Sequence, residues 1–378
     1  LLGSVPEPGS KGSTFDPTEV AALRSRRNRP RAGRLDATIL SAITQIADQH
    51  IRVRGYDLVE LACTGATYEA VATLLWTGEL RDSVTFPKDP SLVSHAALAH
   101  RALPESAPLI DRLRINVAIA SAWDDLRHDR RTESVVRAAP SLVAAMVDGL
   151  PSRRDTDGGL AERLWAALTT QRPTARWIDA LNATLVLAAD HDLAASTFAA
   201  RVAASTRADP YAVVGAGLGA FGGNLHGAAS KRVHRLLVDA QRGRVAGAVG
   251  AALAGEQRME GFGQFLYPDG DPRGRAVLDF VRAASPAPAR LAVCESVRDL
   301  VQDRTGIASN IDFALAALTF CTGMREDAGE AIFAISRSAG WIAHAVEEYG
   351  EAPLRFRAVA RYVGPSGPTG AVPERRSR

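Results

Sequence analysis

Alanine-rich apolar segments at helical spacing recur along most of the chain from Asp36 onward, and they constrain its fold more than any other feature. In Ser91 to His100, leucine, valine and alanine return at intervals of three and four residues, as on one face of a helix. Ala, Leu, Arg and Glu, all good helix formers, dominate these segments, and alternating strand patterns are scarce. The sequence therefore predicts an all-α fold with more than a dozen helices.

The predicted helices cover residues 37–47, 91–100, 114–125, 139–148, 159–170, 174–188, 194–205, 210–221, 228–240, 245–253, 274–283, 289–303, 311–321 and 328–349. One of them includes the glycine-rich run from Val213 to Gly223, which is a poor helix in isolation. We expect tight packing against other helices to hold it, with a dimer interface as one candidate.

Charge and cysteine content exclude several classes of protein. The 378 residues carry 45 basic and 42 acidic side chains, so no global field favours nucleic acid or a membrane. Cys63, Cys294 and Cys321 lie far apart and offer no metal-binding spacing, and reduced thiols suit the cytoplasm. Because we find neither a membrane-length apolar run nor a signal peptide, we expect a soluble cytoplasmic protein without a metal site.

Residues 1–35 differ from the rest of the chain. A stretch rich in Gly, Pro and Ser leads into Asp16-Pro17-Thr18-Glu19, which resembles a helix start, and a short helix from Glu19 to Arg27 should follow. A basic run then offers two alternatives, a solvated linker face or a nucleic-acid contact. It consists of Arg24, Arg26, Arg27, Arg29, Arg31 and Arg34.

Four short polar segments stand out at predicted helix ends or loops, where functional residues usually lie. The first is Ala189 to Asp192, whose His191 could simply be a satisfied helix cap. The second is Gly222 to Ser230, where His226 precedes a new helix. Glycines admit a ligand close to the backbone, and free N–H groups at a helix N-terminus favour anions.

The third segment is the loop from Gly261 to Arg273, which contains Gly261-Phe262-Gly263-Gln264 and would also suit a surface turn. The fourth is Ser309 to Phe313, where Asp312 opens an apolar helix. An acid at that position is ordinarily an N-terminal cap.

Taken in this order, the four segments resemble the citrate synthase superfamily. Its members carry Asp-His-Glu, Pro-Leu-His-Gly-Gly, Gly-Phe-Gly-His followed by Asp-Pro-Arg, and Asn-Val-Asp-Phe. The resemblance covers about residues 36–365 and includes Arg54-Gly55-Tyr56-Asp57 and Ser336-Arg337. It implies an all-helical homodimer, with a large domain at 36–227 and 330–378 and a small domain at 228–329 that closes over the substrate.

The resemblance also implies roles for individual residues. Asp312 matches the base that removes the α-proton of an acyl-CoA thioester, and His226 matches the residue that hydrogen-bonds the resulting enol. His191, Arg273 and Arg337 match the groups that hold oxaloacetate, for which bidentate guanidinium pairing suits a small dicarboxylate.

Two further assignments follow from the resemblance. Arg355 most nearly matches an arginine donated across the dimer, with Arg357 as a rival because the surrounding sequence departs from the family's Arg-Pro-Arg pattern. Gly261, Phe262 and Gly263 match the loop that binds acyl-CoA. This molecule is a cosubstrate, and no permanently bound cofactor is expected.

Gln264 departs from the family at a catalytic position. Condensation needs a base and a donor facing the thioester oxygen, which Asp312 and His226 supply, but it also needs a polarised ketone. The family uses a histidine there, whereas an amide donates a hydrogen bond and cannot deliver a proton near neutral pH. We therefore expect weakened or redirected condensation of acetyl-CoA or propionyl-CoA with oxaloacetate. The alternative is an impaired paralogue that binds metabolites for regulation or pairs with an active homologue.

The N-terminal segment suggests one further alternative. Residues 4–20 resemble the wing and last helix of the MerR-type winged helix-turn-helix carried by some bacterial citrate synthase-like proteins. The chain begins at Leu1 without a methionine, so we expect the recognition helix to be missing and this chain not to bind nucleic acid.

Overall fold

The computed structural model describes residues 4–6, 13–15, 38–152, 154–255, 259–267, 269–285, 288–360, 362 and 364. Within these ranges the chain is mainly helical, which confirms the all-α prediction. The helices, in chain order, are α1 Leu58–Cys63, α2 Tyr68–Thr77, α3 Pro90–Arg101, α4 Leu109–Ala122, α5 Thr132–Asp148, α6 Leu160–Leu168, α7 Ala175–Ala188, α8 Ala195–Ser205, α9 Pro210–Phe221, α10 Ala229–Arg242, α11 Val245–Ala254, α12 Pro272–Ala284, α13 Pro288–Thr305, α14 Ile311–Cys321 and α15 Ala328–Tyr349.

The strands are short and lie near the N-terminus. In the compact unit of residues 1–41, β1 (Ser4–Pro6) pairs antiparallel with β2 (Ser13–Phe15). In the second unit, residues 42–378, an antiparallel sheet has the order β3 (Thr44–Ala47), β4 (His50–Val53) and β5 (Tyr56–Asp57).

The helix predicted for residues 37–47 is wrong, because its second half is strand β3. Asp48 and Gln49 have φ values of 52° and 64°, the left-handed region that a two-residue hairpin turn requires at both positions. In the following strand Ile51 and Val53 are fully buried while His50 is exposed. Alternating burial of this kind anchors the hairpin and overrides the local preference of residues 44–47 for a helix.

Capping residues define many of the helix boundaries. Asp89, Asp209 and Asp271 each accept hydrogen bonds from the first turn of the next helix, and each precedes a proline at the first helical position. An aspartate as the N-cap followed by a proline at the first helical position is a strong helix-initiation signal. The predicted starts at 91, 210 and 274 therefore lie within two residues of the observed ones. Helices α1 and α2 lie outside the predicted set.

Helix α15 is at the centre of the larger unit. Every residue from Ala328 to Ala345 is buried, and the helix packs against α2, α4, α5, α7, α8, α9, α10 and α14. A helix that is buried on all sides must be surrounded by others, and α15 is buried in this way even at polar positions such as Glu330. Arg337 lies at its middle, so a guanidinium is held inside the core.

Helix α9, which contains the glycine-rich run, packs tightly on α15. A Cβ atom built on Gly217 would lie 2.6 Å from the ring of Trp341, so only glycine allows this approach. The prediction that close helix packing holds this segment is confirmed, whereas its place at a dimer interface stays a prediction.

Three further expectations concern the division into domains, the N-terminal helix and membrane-spanning helices. The division into domains at 36–227 with 330–378 and at 228–329 stays a prediction. The helix from Glu19 to Arg27 lies outside the described residues. Among the helices of the described residues, none combines the length and apolar character needed to span a bilayer.

We predict that Gly217→Ala lowers the free energy of unfolding by about 1 to 3 kcal/mol, because the new methyl group overlaps Trp341. The matched control is Gly250→Ala in α11, where an added Cβ meets nothing within 4 Å. This second change should be neutral or stabilise the protein by up to about 1 kcal/mol through helix propensity. Urea unfolding followed by circular dichroism measures both, and equal stabilities would contradict the packing described.

Candidate active site

The third and fourth polar segments are joined by backbone hydrogen bonds. The N–H of Gly263 donates to the carbonyl of Ala308 at 2.8 Å, and the N–H of Asn310 donates to that of Gly261 at 2.9 Å. Gly261 and Gly263 have φ values of 78° and 74°, which favour glycine. A Cβ atom on Gly261 would also lie 2.6 Å from Val233. Segments some fifty residues apart in sequence therefore lie side by side.

Asn310, and not Asp312, caps helix α14. The side chain of Asn310 accepts the N–H of Asp312 at 3.0 Å and donates to the carbonyl of Gly263 at 3.0 Å. The interpretation of Asp312 as a cap is thus wrong, because a neighbouring residue already provides the cap. The carboxylate of Asp312 therefore does not cap this helix.

Asp312 has the properties of a general base. Its Oδ1 atom is shielded from solvent and has no hydrogen-bond partner among the described residues. Burial raises the pKa of its carboxyl to about 7, with Arg273 opposing the rise and the charges of Asp271 and Glu260 adding to it. A carboxylate with a pKa near neutrality can take a proton from a weak carbon acid and later release it.

Arg273, in the first turn of α12, is buried and only partly paired. Its Nε and Nη2 atoms donate to the carboxylate of Asp271 at 3.0 and 2.7 Å. Its Nη1 atom is buried without a described partner. One arm of the guanidinium is therefore unpaired within the part of the chain that the structure describes.

Arg337 shows the same pattern from the centre of α15. Its Nε atom donates to the carbonyl of Ala188 at 2.9 Å, and its Nη2 atom is buried without a described partner. Burial lowers the pKa of this guanidinium to about 10, and the nearby positive charge of Arg273 contributes to the shift. The group still carries its charge at neutral pH.

His191 is a neutral histidine that contacts Tyr267. Its Nε2 atom lies 3.1 Å from the hydroxyl of Tyr267. Burial lowers the pKa of His191 well below its usual value, and the charges of Arg273 and Arg337 lower it further. The two positive guanidinium groups nearby disfavour the protonated, positively charged form of the imidazole, so the ring stays neutral.

His226, in the turn between α9 and α10, is half-buried and also neutral. Its Nε2 atom lies 2.8 Å from the hydroxyl of Ser196, and its ring packs on Phe221. Burial lowers the pKa of His226 to about 4, and the charge of Arg337 contributes. A neutral imidazole here can donate a hydrogen bond without giving up its proton.

These side chains share one electrostatic environment. The charge of Arg337 affects the pKa values of His191, His226 and Asp312, and that of Arg273 affects His191, Asp312 and Arg337. Buried polar atoms without partners cost about 1 to 3 kcal/mol each, and more when charged. Three such atoms, on Asp312, Arg273 and Arg337, belong to predicted site residues. A bound anion would satisfy both guanidinium groups.

Gln264 follows the Gly261–Gly263 turn and is half-buried. Its backbone carbonyl accepts the N–H of Tyr267 at 3.1 Å, and its side-chain amide makes no hydrogen bond to a described residue. The two glycines and the buried Phe262 shape this turn. Contact of these three residues with acyl-CoA stays a prediction.

Arg355 does not join this cluster. It is exposed, its Nε and Nη2 atoms donate to Glu348 at 2.7 and 2.6 Å, and its guanidinium stacks on Phe356. Arg357 is exposed two residues later and forms no hydrogen bond or ion pair with a described residue.

Several residues that support the site were not predicted from the sequence. Asp190 is fully buried and accepts the hydroxyl of Thr44 at 2.5 Å and Nε2–H of His344 at 3.4 Å. Arg201 donates to Nδ1 of His344 at 2.9 Å, which leaves the ring proton on Nε2. Burial would raise the pKa of Asp190, but His344 and Arg337 bring it below its usual value. Asp190 stands in the first polar segment beside His191, whereas no sequence signal pointed to Thr44.

Cavity size alone does not locate this site. A surface cavity of about 1030 Å³ lies beside α3, α5 and α6 and is lined by residues such as Val93, Asp148 and Arg163. None of the predicted site residues lines it.

Comparison with known proteins gives a consistent picture. The family described as "Citrate synthase, C-terminal domain" matches residues 36–358. The match begins after the N-terminal segment and lends no support to the MerR-type resemblance of residues 4–20. The chain is 30% identical to citrate synthase 2 of Bacillus subtilis over 86% of this chain and 93% of that protein. It is also 30% identical to 2-methylcitrate synthase 2 of Corynebacterium glutamicum, over 82% of this chain and 88% of the relative.

Solved structures show the same fold. Citrate synthase from Thermotoga maritima MSB8 has a TM-score of 0.71 at 26% identity, and the match covers 90% of this chain and 98% of that chain. A ternary complex of carboxymethyl coenzyme A and oxaloacetate with citrate synthase from Thermoplasma acidophilum has a TM-score of 0.74 at 24% identity. The latter covers 89% of this chain and 96% of that chain.

We predict that His226 stays neutral across the physiological range and titrates near pH 4, because burial and Arg337 both disfavour imidazolium. Nitrogen-15 NMR of labelled histidines measures this, with His226→Asn to identify the signal and the exposed His128 as the reference. A midpoint above pH 6 for His226 would contradict the electrostatics of the cluster.

Proposed function

The chain belongs to the citrate synthase family, and on that premise we propose that it condenses acetyl-CoA or propionyl-CoA with oxaloacetate to a citrate-type tricarboxylate. Free CoA is the second product. The observation that carries the proposal is the buried Oδ1 atom of Asp312, which has no hydrogen-bond partner among the described residues. The pKa of this carboxyl, about 7, and the two nearby guanidinium groups suit a base acting beside a bound dicarboxylate. Relatives named citrate synthase and 2-methylcitrate synthase support both acyl donors.

Binding of oxaloacetate falls to three residues in this proposal. The free Nη1 of Arg273 and Nη2 of Arg337 each donate to a carboxylate oxygen, which relieves the cost of leaving them buried without partners. His191, neutral and held beside Tyr267, offers a hydrogen bond without adding charge.

Enol formation falls to Asp312 and His226. Asp312 as carboxylate takes the α-proton of the acyl-CoA, and the electron pair moves onto the thioester oxygen. If Nε2 of His226 accepts the hydroxyl of Ser196 at 2.8 Å, Nδ1–H is free to donate to that oxygen. Because burial lowers the pKa of His226 to about 4, its ring is neutral near pH 7 and donates this hydrogen bond without carrying a positive charge.

Carbon–carbon bond formation then involves Gln264. The enol carbon attacks the ketone carbon of oxaloacetate, and the ketone oxygen becomes an alkoxide that needs a hydrogen-bond donor. The amide of Gln264 has no described hydrogen-bond partner of its own and can donate to this oxygen. Because the amide cannot supply a proton, a water molecule protonates the alkoxide, and the hydroxide left behind takes the α-proton from Asp312 and becomes water again. Hydrolysis of the resulting thioester by a second water releases CoA.

The subunit that completes the site is also part of the proposal. A homodimer, or a heteromer with an active homologue, would donate one arginine from the C-terminal segment. Arg355 has its guanidinium engaged by Glu348, while Arg357 has no described polar partner. This difference favours Arg357 over Arg355 as the donated residue.

A second candidate function rests on Gln264. A chain that binds oxaloacetate and acyl-CoA but turns them over slowly would act as a metabolite-binding regulatory or partner subunit. Tight binding with negligible CoA release would favour this alternative.

We predict that CoA release from acyl-CoA plus oxaloacetate rises with pH to a plateau, with a midpoint near pH 7. Below the midpoint the base is protonated, so the rate falls about tenfold per pH unit. Asp312→Asn should lower kcat by on the order of 10²- to 10⁴-fold. Thiol detection of free CoA with acetyl-CoA and propionyl-CoA measures both effects, and no turnover with either donor would exclude the condensing enzyme.

We predict that Gln264→His raises kcat by on the order of 10- to 10²-fold, because an imidazole restores a donor that can also transfer a proton. Gln264→Ala is the matched control, and its kcat should fall below that of the unmodified protein if the amide contributes a hydrogen bond. Unchanged turnover in both variants would show that position 264 does not limit the chemistry.

A further inference from the structure

Asp271 is the residue at which two helices of the site meet. It is 2% exposed and caps α12 by accepting the N–H of Arg273 at 3.0 Å. The same carboxylate accepts Nε and Nη2 of Arg273 at 3.0 and 2.7 Å. Its Oδ2 atom also accepts the N–H of Ile311, the first residue of α14, at 3.3 Å. Four donors from two helices saturate this one carboxylate.

The backbones of the two helices approach closely at the same place. A Cβ atom on Gly274 would lie 2.7 Å from the carbonyl carbon of Asn310, which caps α14. No larger residue fits there without moving one helix away from the other. The first turn of α12, with Arg273, and the first turn of α14, with Asp312, therefore form one tightly packed joint.

We propose that Asp271 is a positioning residue that couples the guanidinium of Arg273 to the first turn of α14, so that the anion-binding group and the base Asp312 respond as one unit. The joint rests on the contacts above. The identity of the bound anion, oxaloacetate, and the role of Asp312 as a base rest on the proposed function.

The charges around Asp312 indicate what the coupling does. Arg273 and Asp271 face it from α12, Glu260 from the segment before the glycine turn, and Arg337 from α15. Asp271 occupies two of the Arg273 donors, which limits how strongly that cation stabilises the Asp312 carboxylate. Without the charge of Asp271, Arg273 would hold Asp312 in its ionised form and weaken it as a base.

The test removes the charge of Asp271 and keeps its shape. Asn is as good a helix cap as Asp, so Asp271→Asn retains the start of α12 but cannot accept from all four donors. We expect the pKa of Asp312 to fall by about one unit, the usual effect of one neighbouring charge. Carbon-13 NMR titration of labelled aspartate carboxyls measures it, with Asp312→Asn identifying the resonance.

The matched control is Asp148→Asn, which removes the carboxylate of another buried pair, with Arg163 at 2.8 Å, outside the site. This change should leave the titration of Asp312 where it is. A residue that serves only as a helix cap would also leave it unchanged. An identical Asp312 titration in Asp271→Asn and the unmodified protein would overturn the proposal.

A measurement on the unmodified protein decides the question if Asp271→Asn fails to fold. Hydrogen exchange with and without oxaloacetate should show slower exchange in residues 271–276 and 308–314 together. Slower exchange in 271–276 alone would overturn the coupling. Calorimetry of oxaloacetate binding tests the proposed function separately, and absence of binding would sink that function while the carboxyl titration still decides the role of Asp271.

Discussion

The whole arrangement depends on keeping two guanidinium groups charged inside a helical core. Moving a cation out of water is costly, and Arg273 and Arg337 are each 1% exposed. The chain compensates them only in part, with the carboxylate of Asp271 on one and the carbonyl of Ala188 on the other. The remaining donors have no described partner, so the core retains an unmet demand for an anion. This unmet demand supports the proposal that the cluster binds an anion.

The same burial shifts the pKa values of the Asp312 carboxyl and of the two histidines in opposite directions. Removal of water disfavours whichever form of a group is charged, so it raises the pKa of Asp312 and lowers those of His191 and His226. Arg337 reinforces the lowering for both histidines, Arg273 reinforces it for His191, and both arginines restrain the rise for Asp312. One environment thus gives a carboxylate that can accept a proton and imidazoles that can donate hydrogen bonds. Gln264 adds a donor of the same neutral kind, without an ionisable proton.

Much of the helical framework follows from local signals. Apolar residues at intervals of three and four, together with Asp-Pro starts, give helix positions that need no information from elsewhere in the chain. Residues 44–47 show where this fails, since a segment of four residues is too short for its apolar spacing to distinguish a strand from a helix. Burial of Ile51 and Val53 in the adjacent strand decides between them. The helix at Asp312 was expected correctly, but its cap was misassigned, because the bond from Asn310 to Gly263 depends on a loop about fifty residues away.

The resemblance of four short segments to a known family singled out Asp312, His226, His191, Arg273 and Arg337 as candidate site residues, since a motif preserves the identity and order of reactive groups. It could not show that Asp271 bonds to Ile311, that Asp190 contacts Thr44 and His344, or that Arg355 pairs with Glu348. Those pairings join segments that come together only on folding, and the pKa of a side chain depends on the water and charges around it. The sequence by itself therefore determines which reactive groups are present and in what order. Their protonation states and hydrogen-bond partners are decided by how the helices pack.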